Sequence, residues 1–580
     1  MSDIALCREY EPGPDWEEVV HCGKWSLFAK ICEVGHEIEI CTLGGAVLVL
    51  LGDVREREKI ERWALRGASP EALDEALGGA VCGAVVTGRA FCVFRDKLGL
   101  IPMVRVERGK RVIITSSPEA VNEACCGAQL SESWTVHYLR GEFGAWAQDV
   151  YEGQTRFLPG TCFVWHDGRG RTVRYWPRRD FFEPLCVHEE EGTERVRGAF
   201  VRAVRRIPKT KPRVYTLSGG LDSGGIVGVS CKALGPGQRL KTVSLTSRAF
   251  ASSDESAQLD VLESALPIDS VRLCMDDTPS LSKPELYAFD AFGPQLMPGV
   301  EVTHSLFVHA AQSNARLVVG GGGNNLVLTR DETLLLDLMR RRDIASLSDE
   351  LGHLSRSDAH SLVRRVFRGA FAGKLRTALK TNLPAPLSRR LFAQIRPEEA
   401  LGTWLTPHAC RAYPFVRFES SLGPDLAHLR LNAVMSWQNE LYMRSLDRLG
   451  RKTGAMICDP LYDPELFELC ARMPARFWLH NGVERPVYRA ALAPFLPFEI
   501  LDHPKVQSFT APTLSGAAAP AVESWFGRAV ASKRGSRLER FVCFDALLAA
   551  FERFQQAERR GEDVSFVAFC ALWQAFSLCL

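Results

Sequence analysis

Six residues, Ser218-Gly219-Gly220-Leu221-Asp222-Ser223, constrain this chain more than any other feature, because they stand between a β-type run and a small-residue helix. The run Val214-Tyr215-Thr216-Leu217 ends at the first serine, and a helical pattern from Gly224 to Leu234 comes after the last. Two adjacent glycines let a backbone approach an anion closely, and a helix N-terminus adds N–H groups and the positive end of a dipole. Ser218 and Ser223 offer hydroxyl donors, and Asp222 can hold Mg²⁺ against phosphates. No Gly-x-x-x-x-Gly-Lys-Ser/Thr loop occurs, and Lys241-Thr242 lacks the preceding glycine, so this is a different phosphate cradle. Clusters of Ser, Gly and Asp also form ordinary turns, but the strand–loop–helix setting separates this one from them.

The alternation of strand and helix continues beyond the loop. Strands are expected at Lys241 to Thr246, Ser270 to Met275 and Arg316 to Val319, with helices at about Asp254 to Leu266 and Thr303 to Ala315. Strands alternating with helices predict a doubly wound parallel sheet covered on both faces, with ligands beyond the carboxyl ends of its strands. A second Gly-rich loop, Gly320 to Asn325, falls at such an end. From about Arg330 onward the pattern is mostly helical.

The first 180 or so residues read differently. Short apolar runs (Ala46 to Leu51, Ala90 to Phe94, Arg111 to Thr115, Thr161 to Trp165) are separated by turn residues, which predicts a mostly β unit with one helical stretch near Arg55 to Ala76. At 580 residues two or more domains are expected, with a boundary between residues 183 and 184. With 24% charged residues and a net charge of +2, neither a nucleic-acid binder nor a disordered chain is expected.

The longest apolar run, Cys41 to Gly52, is too short to span a bilayer and fits one buried strand. The N-terminus has no basic segment leading into an apolar core, so a cytoplasmic protein is expected. Eighteen cysteines occur without a Cys-x-x-Cys pair, and plain buried thiols account for them better than disulfides or zinc. Residues Arg340 to Arg396 hold thirteen Lys or Arg against four Asp or Glu, which suits solvated helix faces or a docking surface for an acidic or peptide partner.

The hexapeptide is the signature of the PP-loop ATP pyrophosphatases, which this part of the chain resembles. That resemblance implies cleavage of ATP between the α and β phosphates and activation of a carboxylate as an acyl-adenylate. Phe94-Arg95-Asp96-Lys97-Leu98-Gly99-Leu100-Ile101-Pro102, Ser116-Ser117-Pro118-Glu119-Ala120, Leu158-Pro159-Gly160 and Tyr175-Trp176 then keep the order of segments in asparagine synthetases. The implied fold is an α+β N-terminal domain over 1–183, an Ntn-hydrolase-like, glutamine amidotransferase-type β-sandwich, joined to an α/β PP-loop synthetase domain over 184–580 with a helical C-terminal part.

Two departures separate the branches of that family. Glutamine-using members carry a cysteine exposed by removal of Met1; here the second residue is Ser2, and Cys7 is too far inside, so the N-terminal domain is expected to lack the nucleophile and to be a structural relic. Asp459-Pro460-Leu461-Tyr462-Asp463 resembles a Glu-Val-Arg-x-Pro-Phe-Leu-Asp segment, and by that register Met456 replaces the Glu that β-lactam synthetases use to help deprotonate their amine. The remaining branch is the lasso peptide macrolactam synthetases. Gly320-Gly321-Gly322-Gly323-Asn324-Asn325, Pro460-Leu461, Met473-Pro474, Gly482, Arg485, Leu496-Pro497 and His503-Pro504-Lys505 are similar to that branch in order and spacing.

The resemblance implies the site. Leu217, Ser218, Gly219, Gly220, Leu221, Asp222 and Ser223 would hold pyrophosphate, with Gly321 and Gly322 approaching it. Val243 and Leu245 would lie beside adenine. Asp254 and Glu255 would sit near substrate and ATP, although Asp254 is equally explained as a helix cap. Lys505 would neutralise charge on the leaving pyrophosphate, although a lone lysine is usually solvated surface. Mg²⁺ would rest on Asp222 and Asn324; relatives carry Asp at the latter position, and an amide brings no charge. Another carboxylate then compensates, or Asp222 and ATP suffice, or activity is impaired. The expected reaction joins the N-terminal amine of a precursor peptide to an internal Asp or Glu, with a leader peptidase and a leader-recognition protein as partners. The alternatives are a β-lactam-synthetase-like or asparagine-synthetase-like enzyme on a small substrate, and a weakly active ATP-binding scaffold.

Overall fold

A computed structural model describes residues 3–322, 404–412, 426–503, 520–560 and 566–579, except for 9–11, 13, 23–24, 31–36, 53, 55, 88–89, 145, 167–168, 280, 288, 291, 296–298 and 482. The basic stretch from Arg340 to Arg396 and the residues Ser2, Asn324, Asn325 and Lys505 lie outside these.

The N-terminal part is a sandwich of two six-stranded antiparallel sheets. Alternation along the strands builds its layers. In Asp3–Arg8, Ile4 and Leu6 pack with Val49 and Leu51 of the other sheet, whereas Ala5 and Cys7 pack with Ala120 and Val121 of the helix Pro118–Ala124. On the far side Leu48 and Leu50 pack with Ile60 and Trp63 of the helix Arg57–Leu65. The four expected strands are present at Ala46–Gly52, Ala90–Phe94, Arg111–Thr115 and Thr161–His166. The run Cys41 to Gly52 is not one strand, however. It folds as the hairpin Ile38–Leu43 and Ala46–Gly52, because Gly44 (φ 54°) and Gly45 (φ 87°) both take the left-handed conformation that a tight hairpin turn requires.

The second part is a five-stranded, wholly parallel sheet in the order Ile268–Cys274, Leu240–Thr246, Arg213–Thr216, Leu317–Val319, Met456–Cys458. Helices Leu221–Cys231, Ser256–Ala265 and Val300–Gln312 lie between successive strands. The strand order reverses between Arg213–Thr216 and Leu317–Val319. A crevice opens at such a point beyond the carboxyl ends of the strands, and the two Gly-rich loops leave the sheet there.

A buried charge network ties the two parts together. The Glu440 carboxylate meets Arg95 at 2.9 Å and Arg444 at 3.0 Å, and Arg444 meets Asp149 at 2.6 Å. Arg156 donates to the Met435 carbonyl at 2.7 Å, and Arg451 pairs with Asp3 at 2.8 Å. Glu440, Arg444 and Arg451 all belong to the helix Trp437–Thr453, which ends at Gly454 (φ 78°) and leads into the edge strand Met456–Cys458. The β-sandwich therefore grips the helix that positions one side of the crevice. Among the described residues, no helix is long and apolar enough to cross a membrane.

Candidate active site

The first loop is anchored at its start, where the Leu217 N–H donates to the Val243 carbonyl at 2.9 Å. Its two serines brace it from within. Ser223 Oγ accepts from the Ser218 N–H at 2.9 Å and lies 2.8 Å from Ser218 Oγ, which in turn accepts from the Gly220 N–H at 3.3 Å. Leu221 is buried as the first residue of the helix. Gly219 has a steric reason to be glycine: a Cβ there would collide with Cβ of Gln258 and come within 3.1 Å of Cβ of Glu255. The loop is thus pressed against the start of the neighbouring helix.

That contact brings Glu255, at the cap position of Ser256–Ala265, to the loop. Asp254 is not the cap. Its Oδ1 accepts from the Ser247 N–H at 3.1 Å and the Ser256 hydroxyl at 2.8 Å, which closes the loop after strand Leu240–Thr246. Asp276 braces the same loop through the Ser247 hydroxyl at 2.7 Å and the Arg248 and Ala249 N–H groups. The Ser247 hydroxyl bond foremost, with those N–H groups, lowers its carboxyl to about 2. In the strand itself, Val243 is fully buried and its carbonyl already accepts from Leu217; Leu245, nearer the carboxyl end, is half-buried.

Asp222 has a partner that no local pattern in the sequence reveals. Arg485 Nη1 lies 2.8 Å from its Oδ1 and 3.1 Å from its Oδ2, with Asp222 7% and Arg485 3% exposed. Arg485 takes a left-handed backbone (φ 55°) at the cap of helix Pro486–Leu492. Burial opposes its charge, but Asp222 outweighs that and its pKa is raised. The guanidinium also lies 5.8 Å over the ring of Tyr488, a fully buried tyrosine whose hydroxyl has no hydrogen-bond partner among the described residues.

The second loop runs between two carboxylate-bearing residues. A Cβ on Gly321 would lie 3.4 Å from the Ser223 N and 3.6 Å from the Asp222 carbonyl carbon. A Cβ on Gly322 would collide with the Tyr442 hydroxyl and lie 3.6 Å from Asp459 Oδ2. Asp459 comes directly after the edge strand, and Gly320 N–H donates to the Cys458 carbonyl at 3.0 Å, so the register delivers it to the crevice. Its Oδ1 accepts from the Leu461 N–H at 2.9 Å. Sequence reading did not place Asp459 or Tyr442 in the site. The strand before Asp459 has only three residues and no period, so its carboxyl end gave no signal.

His503 approaches the same region, its Nε2 being 3.2 Å from Gln258 Nε2. Lys505 lies two residues further on, outside the described residues. Met456 is buried in the edge strand and lines a cavity of about 210 Å³ between that strand and the β-sandwich, together with Asp459, Tyr462, Glu37 and Lys211. Cys7 is buried, and burial raises its thiol well above the ordinary range, which removes it as a nucleophile. The carboxylates of Asp222 and Asp459 are the hard oxygen donors that Mg²⁺ takes, so the donor set fits that ion.

A parallel sheet with two Gly-rich loops at its reversal point is a nucleotide-binding α/β fold. The profile of the asparagine synthase family matches residues 195–575, and the chain belongs to that family. Its class of chemistry is ATP-dependent amide-bond formation, and enzymes of the family use ATP with Mg²⁺. No curated protein matches the chain. Two solved structures are similar to parts of it. One is a glutamine phosphoribosylpyrophosphate amidotransferase from B. subtilis complexed with ADP and GMP, at 11% identity over 46% of this chain and 70% of that one, with a TM-score of 0.18. The other is an allosteric regulatory enzyme of purine biosynthesis, at 12% identity over 56% and 85%, with a TM-score of 0.21. At such TM-scores neither likeness carries an architecture over to this chain.

Proposed function

We propose that the chain is an AMP-forming ligase that adenylates a side-chain carboxylate of a peptide and joins it to that peptide's N-terminal amine, releasing pyrophosphate. The observation that carries this reading is the braced Ser218–Ser223 loop at the head of helix Leu221–Cys231, opposite Gly321 and Gly322 across the strand reversal. Glycines at both loops let the backbone close on a pyrophosphate, and the helix dipole favours the anion. Mg²⁺, when bound with ATP, would offset phosphate charge as the α–β bond breaks.

The chain's own groups divide the remaining work. The Asp254 and Asp276 braces fix the loop after strand Leu240–Thr246, where Leu245 would meet the base. Glu255 stands beside Gly219 to orient the substrate. Lys505 would meet charge developing on the leaving group. A peptide amine is favoured over a small-molecule amine because Met456, buried in the edge strand, leaves a thioether where the β-lactam synthetases use a glutamate. A leader peptidase and a leader-recognition protein would then supply the free N-terminal amine.

The test supplies ATP, Mg²⁺ and a synthetic peptide with a free N-terminus and an internal Asp or Glu. AMP, pyrophosphate and a peptide lighter by one water are expected. Equal AMP release with ammonia or a small amino acid would sink the peptide reading.

A further inference from the structure

The geometry points to a backbone-pairing site for the peptide substrate: an extended segment of it enters the cavity beside the edge strand Met456–Cys458 and pairs with Ile457 as a sixth strand of the sheet. The inference rests on the proposed peptide-ligase reading and names where that peptide lies.

Register decides which way the polar groups of the strand face. The Met456 N–H donates to the Arg316 carbonyl at 2.9 Å, and the Cys458 carbonyl accepts from the Gly320 N–H at 3.0 Å. Both residues therefore turn their backbone groups toward the neighbouring strand Leu317–Val319. Backbone groups of successive strand residues face opposite edges, so the N–H and carbonyl of Ile457 face outward. Met456–Cys458 is the last strand of its sheet, and no backbone partner for Ile457 is found on that side among the described residues. An unpaired strand edge is a template for another chain.

At this edge lies a space rather than packed side chains. All three strand residues line the cavity of about 210 Å³ against the β-sandwich, room for about seven waters at ~30 Å³ each. Met443 and Leu446 of helix Trp437–Thr453, with Val54 and Leu100 of the sandwich, give it apolar walls. Three of its carboxylates are already paired: Glu37 meets Lys211 at 3.2 Å, Glu39 meets Arg57 at 3.0 Å, and Asp447 meets Arg451 at 2.7 Å. Such walls suit an uncharged, apolar segment held by main-chain hydrogen bonds, which is how extended peptides add to a sheet edge. A free amino acid offers no such run of backbone. Asp459 follows the strand directly, and its Oδ2 would lie 3.6 Å from a Cβ on Gly322. Ile457 and Asp459 are about 7 Å apart along an extended chain. The paired peptide residue is thus within a residue or two of the second Gly-rich loop, where its reacting group is needed.

Amide hydrogen exchange of the full chain tests this, with α,β-methylene-ATP and a peptide that supports AMP release. The internal acid of that peptide is exchanged for the amide, so that it binds without turnover. Exchange at Ile457 is expected to slow at least ~10-fold on binding, because an N–H that gains a hydrogen bond is protected. Ile457→Pro removes the outward N–H at an edge, where a strand accepts proline. It is expected to weaken the peptide at least ~5-fold, the scale of one hydrogen bond, with nucleotide binding held within ~2-fold. Ile457→Val keeps the N–H and should bind the peptide within ~2-fold of the parent. N-methylation of the peptide, residue by residue, reads the same bond without touching the fold: one position near the acid should lose at least ~5-fold. A peptide that is turned over while exchange at Ile457 changes less than ~2-fold overturns the inference and leaves the ligase reading in place. Undiminished peptide binding by Ile457→Pro overturns it equally. A chain that neither binds nor turns over any such peptide ends both.

Discussion

Arg485 and Asp222 are joined at 2.8 Å across 263 positions of sequence, and this single bridge ties the phosphate-loop helix to the helix Pro486–Leu492. Both side chains are nearly buried. Removing the cation leaves a carboxylate without compensation in a poorly solvated place, which is far costlier than losing a surface pair. Arg485→Gln is therefore expected to lower unfolding free energy by about 3 kcal/mol, read by urea denaturation. Loss below ~1 kcal/mol would place the bridge among weak surface contacts.

Tyr442 and Gly322 give a prediction with its own rescue. Gly322→Ala drives a Cβ into the Tyr442 hydroxyl and should abolish most ATP-dependent turnover. Tyr442→Phe removes the atom that is struck, so Gly322→Ala/Tyr442→Phe should regain activity over Gly322→Ala alone. A double variant as inactive as the single one would show that the contact does not set the loop.

Glu440 predicts how the protein responds to acid. Burial alone would raise its carboxyl, but Arg95, Arg444 and Arg156 together hold it down at about 2, against an ordinary value of 4.5. A depressed carboxyl contributes stability above its unfolded value and loses it as pH falls through the folded one. Unfolding free energy should thus drop by about 3 kcal/mol between roughly pH 4.5 and pH 2 from this group. Glu440→Gln should flatten that part of the profile and be less stable at pH 7. An unchanged acid slope in the variant would exclude Glu440 as its source.

Cys7 should be dispensable for chemistry. It is buried, and its thiol is pushed beyond the range in which thiolate forms at neutral pH. Cys7→Ala is expected to keep ATP-dependent turnover within ~2-fold, because a small apolar side chain fits the same layer. Loss of turnover without loss of stability would give the sandwich a catalytic thiol after all.

Much of the parallel sheet was legible because its strands are apolar runs closed by Gly-rich loops. Lys241 to Thr246 and Arg316 to Val319 matched the strands Leu240–Thr246 and Leu317–Val319 within a residue or so. The fifth strand was not, since Met456–Cys458 has only three residues and shows no period. In the sandwich, Glu17–Cys22 escaped notice because it is a largely exposed edge strand without a clean alternation. The first loop was legible as a contiguous hexapeptide. The partners that complete the crevice, Arg485 on Asp222 and Tyr442 on Gly322, come from distant segments, and only tertiary packing brings them there. The grip of the N-terminal part on helix Trp437–Thr453 was not legible either, because buried ion pairs such as Arg95–Glu440 leave no local trace.

Carboxylate adenylation is the step on which the proposed function stands, and isotope transfer tests it most directly. A peptide whose internal Asp or Glu carboxylate carries heavy oxygen is turned over with ATP and Mg²⁺, and the nucleotide product is analysed by mass spectrometry. Adenylation predicts AMP carrying one heavy oxygen atom, delivered when the acyl-adenylate is opened by the amine. ADP with labelled inorganic phosphate, or AMP without label, would contradict it.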